Sequence, residues 1–138
     1  MNNWTIYTDG SCRANKKGGI GIVLLKNGEK VSEGNYSYEN VTNNIMELNA
    51  IKIALKSIIS EIDSLEIVTD SEYAIGCITN PTWHPKKNVA LIGQIKELLV
   101  NTQKLVKTPI KITHTKGHST DKWNNLADKL ATEASSYL

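Results

Sequence analysis

The sequence predicts a mixed α/β sandwich: a five-stranded sheet, its first three strands antiparallel and its later ones parallel, flanked by about four helices. Two observations carry this expectation. An Asn27-Gly28 pair joins two strand-like runs, the strongest short-range hairpin signal. Beyond Thr42, runs with apolar residues at helical spacing alternate with short apolar strands, the pattern of β-α units with right-handed crossovers.

Trp4 to Asp9 reads as the first strand, and Gly19 to Lys26 with Lys30 to Tyr38 forms the hairpin on the Asn-Gly turn. Ile45, Met46, Ala50, Ile51, Ala54, Leu55, Ile58 and Ile59 then recur as on one helix, with Thr42 or Asn43 available as its cap. Ser64 to Thr69 is a short apolar strand ending at Asp70, after which Glu72 to Thr79 forms a helix capped by Asp70 or Ser71. Pro81 and Pro85 mark Asn80 to Lys87 as a loop, and Asn88 caps a helix with Val89, Ile92, Ile95, Leu98 and Leu99 on one face. Pro109 to Thr115 alternates as the last strand, Lys116 to Thr120 is a loop, and Lys122 to Ser136 closes the chain as a helix with Trp123, Leu126, Ala127, Leu130, Ala131 and Ala134 inward.

A chain of 138 residues fits a single domain over residues 1–138, and its 40% hydrophobic and 22% charged content argues against disorder. No apolar run approaches the roughly 18 residues that a membrane helix needs, and no secretory signal follows Met1, so a cytoplasmic protein is expected. Cys12 and Cys77 lack metal-ligand spacing and read as free thiols. The net charge of +2 does not by itself suggest a polyanionic partner. Setting four site carboxylates aside, however, leaves ten acids against sixteen Lys and Arg, which is compatible with one.

Those four are Asp9, Glu47, Asp70 and Asp128. Asp9 and Asp70 each end an apolar strand in the setting Thr-Asp-Gly/Ser-Ser, where acids on neighbouring parallel strands can face one another; each is equally explicable as a turn or cap residue. Glu47 and Asp128 lie on helices among inward residues, although a single acid on an amphipathic helix is more often simply solvated. Four acids in one cleft would raise one another's pKa unless cations joined them, and hard oxygen ligands suit Mg²⁺ or Mn²⁺. Two such ions roughly 3.5 to 4 Å apart are a device for phosphodiester cleavage.

The ordered blocks Thr8 to Cys12 with Asn15 and Gly18 to Gly21, Thr42 to Ala50, Thr69 to Ser71, Lys116 to His118 and Asn124 to Asp128 resemble the type 1 ribonuclease H family over nearly the whole chain, in a short form lacking its basic protrusion. The resemblance implies an endonuclease that hydrolyses the RNA strand of RNA/DNA hybrids with two Mg²⁺ ions, Mn²⁺ substituting, and leaves 5′-phosphate and 3′-hydroxyl ends. It implies that Asp9 bridges both ions, that Asp128 joins it at the ion holding the attacking water, and that Glu47 and Asp70 hold the other. Glu47 would also meet a ribose 2′-OH. His118 would serve as a mobile auxiliary group for proton or product traffic. Cys12, Asn15, Thr42, Asn43 and Asn44 would contact the hybrid along its minor groove, and Asn124 would contact the scissile strand; His84 and His114 have no counterpart and read as surface or strand-packing residues.

Two departures matter. Glu72 stands where many relatives carry a Gln, and an ionised Glu cannot donate a hydrogen bond to nucleic acid. The stretch from Ile78 to Asn88 is much shorter than the basic handle of the longer bacterial enzymes, leaving Trp83, Lys86 and Lys87 with the scattered Lys16, Lys17, Lys104 and Lys122 to hold the DNA strand. With the first strand starting at Trp4, no hybrid-binding domain is expected ahead of the catalytic one, and a monomer of modest, salt-dependent affinity follows. The competing expectations are an integrase-like or resolvase-like DNA enzyme and a non-catalytic hybrid-binding module.

Overall fold

The computed structural model describes residues 1–115 and 121–136; the loop expected over 116–120, and His118 with it, lies outside the described residues. In chain order the elements are β1 (Asn3–Cys12), β2 (Gly18–Lys26), β3 (Glu29–Tyr38), α1 (Asn43–Lys56), β4 (Ser64–Thr69), α2 (Glu72–Thr79), α3 (Val89–Gln103), β5 (Lys111–His114) and α4 (Lys122–Ser135). The strands form one sheet in the order β3-β2-β1-β4-β5. The first three are antiparallel, and β4 pairs parallel with both β1 and β5, as the alternation of elements predicts.

Local chemistry explains most boundaries. Asn27 and Gly28 take positive φ values of 52° and 84°, the left-handed pair that a two-residue hairpin requires. Of the alternative caps, Thr42 serves α1, its hydroxyl accepting from the Ile45 N–H at 3.2 Å, and Ser71 serves α2, accepting from Ala74 at 3.0 Å. Asn88 precedes α3 but does not cap it. Its backbone is left-handed at φ 60°, and its side chain instead donates to the Tyr73 hydroxyl at 3.2 Å.

Several element ends and faces differ from expectation. α1 stops at Lys56, so Ile58 lies beyond it and Ile59 is exposed, and Val89 at the start of α3 is exposed rather than on the buried face. β1 continues past Asp9 to Cys12 because β2 goes on pairing with it, Cys12 opposite Gly18. β5 is shorter than the alternating run, since Pro109 has no N–H to give and the Ile110 N–H is taken by the Gln103 side chain at 2.9 Å. α4 ends one residue earlier than expected, at Ser135.

The sheet buries its two faces differently. Ile6, Ile20, Ile22, Leu65 and Ile67 pack under α1, α2 and α3 in the larger core. On the other face, Val23 and Leu25 meet Ala127 of α4, with Tyr7, Trp123, Leu126 and Leu130 around them. There α4 lies almost directly on the strand backbone: a Cβ at Gly19 or Gly21 would sit 2.1 Å from the carbonyl oxygens of Ala131 and Ala127, respectively.

This contact sets the first prediction. Gly21→Ala lowers unfolding free energy by about 2 to 3 kcal/mol through overpacking, as read by urea or thermal denaturation. Gly34→Ala, where an added methyl meets nothing within 4 Å, stays close to the parent and controls for composition.

Candidate active site

β1 and β4 part at the site. Their parallel pairing ends at Tyr7 opposite Val68, so Asp9 on β1 and Asp70 just beyond β4 border the opening where the ladder stops. Ends of adjacent parallel strands are where α/β sheets place their chemistry. α1 brings Glu47 into the same opening at very close range, because a Cβ at Gly10 would lie 2.5 Å from the Glu47 nitrogen. The Gly10 N–H, shared with the Asp9 carboxylate, donates to Glu47 Oε1.

Carboxylate oxygens of Asp9, Glu47 and Asp70 all lie within 4.8 Å of one another. Asp128 comes from α4 on the opposite side and stands close enough to Asp9 to share a hydrogen bond when one of them is protonated. Asp9 and Glu47 are buried, Asp70 is half-buried and Asp128 is exposed. Four acids distant in sequence therefore converge.

Electrostatics shows what the cluster lacks. Burial, then the charges of Asp70 and Asp128, push Asp9 up to about 8. Burial, then Asp9 and Asp70, push Glu47 up to about 10, against the lowering effect of the Gly10 N–H. No Lys, Arg or His in the described residues offsets these charges through an ion pair; the ion pairs among those residues lie elsewhere. Asp9 and Glu47, whose ionisation is opposed by burial and by neighbouring acids, with Asp70 and Asp128 beside them, fit divalent cations with hard-oxygen preference.

The other expected residues surround the cluster unevenly. Cys12, half-buried, donates to the Val41 carbonyl at 3.3 Å, which ties the end of β1 to the approach to α1. Thr42, Asn43 and Asn44 are exposed at the start of α1. Asn15 is engaged in its own loop, accepting from Lys17 at 3.1 Å. Glu72 is exposed at the start of α2, with His114 Nε2 3.9 Å from its carboxylate, so His114 stands beside an acid rather than packing within the sheet. Asn124 is buried in the first turn of α4.

The proline loop after α2 is folded back and seated. The Trp83 ring lies against Gly76, where an added Cβ would be 2.0 Å from it, and meets the Tyr73 ring edge-on at 6.1 Å between centroids. A groove of about 520 Å³ runs between this loop and the start of α1, lined by Thr42, Asn44, Tyr73, Trp83, His84, Pro85, Lys86, Lys87 and Asn88.

The sequence reading missed one site-side residue. Asp121 caps α4, accepting from the Trp123 N–H at 3.0 Å and from the Asn124 N–H at 3.4 Å, and also receives the Tyr7 hydroxyl at 2.9 Å. An Asp immediately before the helical run is the signal that would have found the cap; nothing in the sequence pointed to the Tyr7 contact.

The sheet order and the acidic opening together define a class, the metal-using nucleases built on a mixed α/β sheet. The fold is that of solved structures of RNase H1 from the halophilic archaeon Halobacterium salinarum, 26% identical with a TM-score of 0.76 over 96% of both chains, and of an RNase H1 isolated from compost, 24% identical with a TM-score of 0.78 over 97% of this chain and 96% of that one. The family description RNase H matches residues 1–136. Ribonuclease H of Clostridium botulinum is 39% identical across 97% of this chain and 96% of its own, and that of Actinobacillus pleuropneumoniae 39% across 91% and 86%. The chain belongs to the ribonuclease H family.

Metal-free stability follows from the raised carboxylates. Their folded pKa values exceed the ordinary 3.8 and 4.5, so above that range the folded chain holds more protons than the unfolded one, and stability present at acidic pH is lost as pH rises toward about 8. Thermal melts in EDTA fall across this window, and Asp9→Asn, which removes the cost of protonating on folding a carboxyl that the unfolded chain ionises, raises the neutral-pH melting temperature by a few degrees, corresponding to about 1 kcal/mol.

Proposed function

We propose that this protein is a single-domain endonuclease that hydrolyses the RNA strand of RNA/DNA hybrids by a two-metal mechanism, leaving 5′-phosphate and 3′-hydroxyl ends. The observation that carries the reading is the convergence of Asp9, Glu47 and Asp70 within 4.8 Å, with Asp128 beside them, in a ribonuclease H chain. Asp9 and Asp128 would hold one ion, and Asp9 with Glu47 and Asp70 the other. When bound, Mg²⁺, or Mn²⁺ in its place, supplies an activated water and charge neutralisation at the scissile phosphate.

The chain's own residues do the rest. The Gly10 N–H holds Glu47 oriented toward Asp9, leaving its second oxygen available to a metal or to a ribose 2′-OH. A group that accepts from the 2′-OH distinguishes RNA from DNA at the cut strand. Asn124 would meet the scissile strand, and His118 would carry protons or help product leave. Exposed Thr42, Asn43 and Asn44, with Cys12 and Asn15 on the facing loop, would read groove width and sugar pattern rather than base sequence.

The DNA strand would lie in the groove beside Trp83, with Lys86 and Lys87 against its phosphates, standing in for the missing handle. Glu72, next to His114, would sit at the rim as a weakened contact. All four carboxylates come from one chain, which supports a monomeric enzyme. Cys12 and Cys77, both free thiols, suit a reducing, cytoplasmic setting.

Purified protein with Mg²⁺ is expected to cut labelled hybrid and to leave duplex DNA intact, and Asp9→Asn or Asp70→Asn to lower the rate at least a thousandfold. Cleavage that persisted in EDTA would overturn the reading. Lys86→Ala/Lys87→Ala is expected to raise KM severalfold with kcat little changed and to reduce the slope of log affinity against log salt by up to about 2, measured by titrating KCl.

A further inference from the structure

The first turn of α4 has an anchor that the family resemblance does not account for. Tyr7 lies two residues before Asp9, so strand alternation places both side chains on the α4 face of β1. Its hydroxyl donates to Asp121 Oδ2 at 2.9 Å, while Asp121 Oδ1 receives the backbone N–H groups of Trp123 and Asn124. One carboxylate thus caps the helix and ties it to the strand that carries Asp9.

Among the described contacts, α4 is also anchored further along. Asn35 donates to the Leu130 carbonyl at 3.2 Å, Ser37 to Ala134 at 2.7 Å, and Arg13 to the Ser135 hydroxyl at 3.1 Å. The glycine contacts fall at Ala127 and Ala131. A helix's first turn lacks partners for its N–H groups and opens most readily unless capped and held. Asn124 lies in that turn.

We propose that the Tyr7–Asp121 hydrogen bond is a positioning device for the reaction, holding the first turn of α4 against β1 so that Asn124 is set relative to Asp9. The inference rests on the proposed role of Asn124. Neither Tyr7 nor Asp121 touches substrate; both act through what they hold.

The test uses hybrid cleavage at saturating Mg²⁺ and well below the melting temperature. Tyr7→Phe keeps the ring and loses only the hydroxyl, so kcat is expected to fall about threefold to tenfold, the weight of one hydrogen bond, with KM within twofold. Asp121→Asn retains a cap oxygen and a polar partner for the tyrosine and is expected to stay within twofold of the parent, whereas Asp121→Ala falls at least as far as Tyr7→Phe. In an Asn124→Ala background, the further loss from Tyr7→Phe is expected to shrink below twofold, which a purely structural role would not produce. An unchanged kcat in Tyr7→Phe, or an undiminished loss in the Asn124→Ala background, overturns the proposal. Full activity of Asn124→Ala by itself would instead show the role of Asn124 to be wrong.

Discussion

Mutual repulsion among buried carboxylates is the constraint on which this structure turns. Asp9 and Glu47 are taken out of water and pressed toward Asp70 and Asp128, an arrangement whose cost to the ionised forms the Gly10 N–H offsets only in part. It persists because the backbones that carry the acids are fixed by contacts indifferent to charge. Gly10 lets α1 approach β1 until their main chains nearly touch, and Gly19 and Gly21 do the same for α4 and β2. Side-chain freedom is thereby removed before electrostatics can act. An acid on a flexible loop would swing away, whereas Asp9, Glu47 and Asp128 are carried by β1, α1 and α4, and Asp70 follows directly on β4.

The same fixation explains what the sequence disclosed. The hairpin at Asn27-Gly28, the alternation of later strands and helices, and the caps at Thr42 and Ser71 are local signals, and each fold element was expected near its observed position. That Glu47 is buried while Asp128 is exposed is not local. Both occupy a helix among apolar neighbours, and the difference arises from how closely α1 and α4 approach β1. Periodicity could suggest which face each acid shared; only the motif blocks suggested that the four acids meet. Asn88 shows the converse failure, since a residue with good capping chemistry was drawn off by Tyr73 once the proline loop folded over α2. The shortened β5 likewise reflects Gln103, a residue on another element, taking the Ile110 N–H.

The proline loop shows how a short segment can serve where relatives use a larger one. Length gives reach, but order reduces the entropy lost on binding. Trp83 is already settled on Gly76 and edge-on to Tyr73, and Pro85 stiffens the chain before Lys86 and Lys87. The groove so formed opens onto Thr42 and Asn44 at the α1 N-terminus, so that one surface presents an aromatic face, two ammonium groups and a helix end. The positive end of α1 favours a phosphate there. Charge that is sparse over the chain is thus concentrated on a preformed surface.

Division of labour between the two sheet faces completes the argument. The larger core under α1, α2 and α3 supplies most of the buried apolar surface, and it lies on the opposite side of β1 from α4. The smaller cluster beneath α4 has only Val23, Leu25 and Ala127 fully buried, and close backbone contact rather than bulk joins helix to sheet. A helix held in this way is positioned accurately along its length where the glycines lie and less firmly at its first turn, the end nearest the opening. Placing Asp128 just beyond Ala127 sets that carboxylate beside the rigid part, while Asn124 remains in the part whose order depends on Asp121. On the proposed function, metal ligation at Asp128 and substrate contact at Asn124 would draw on different segments of one helix, the first fixed by the glycine contacts and the second by Tyr7 and Asp121.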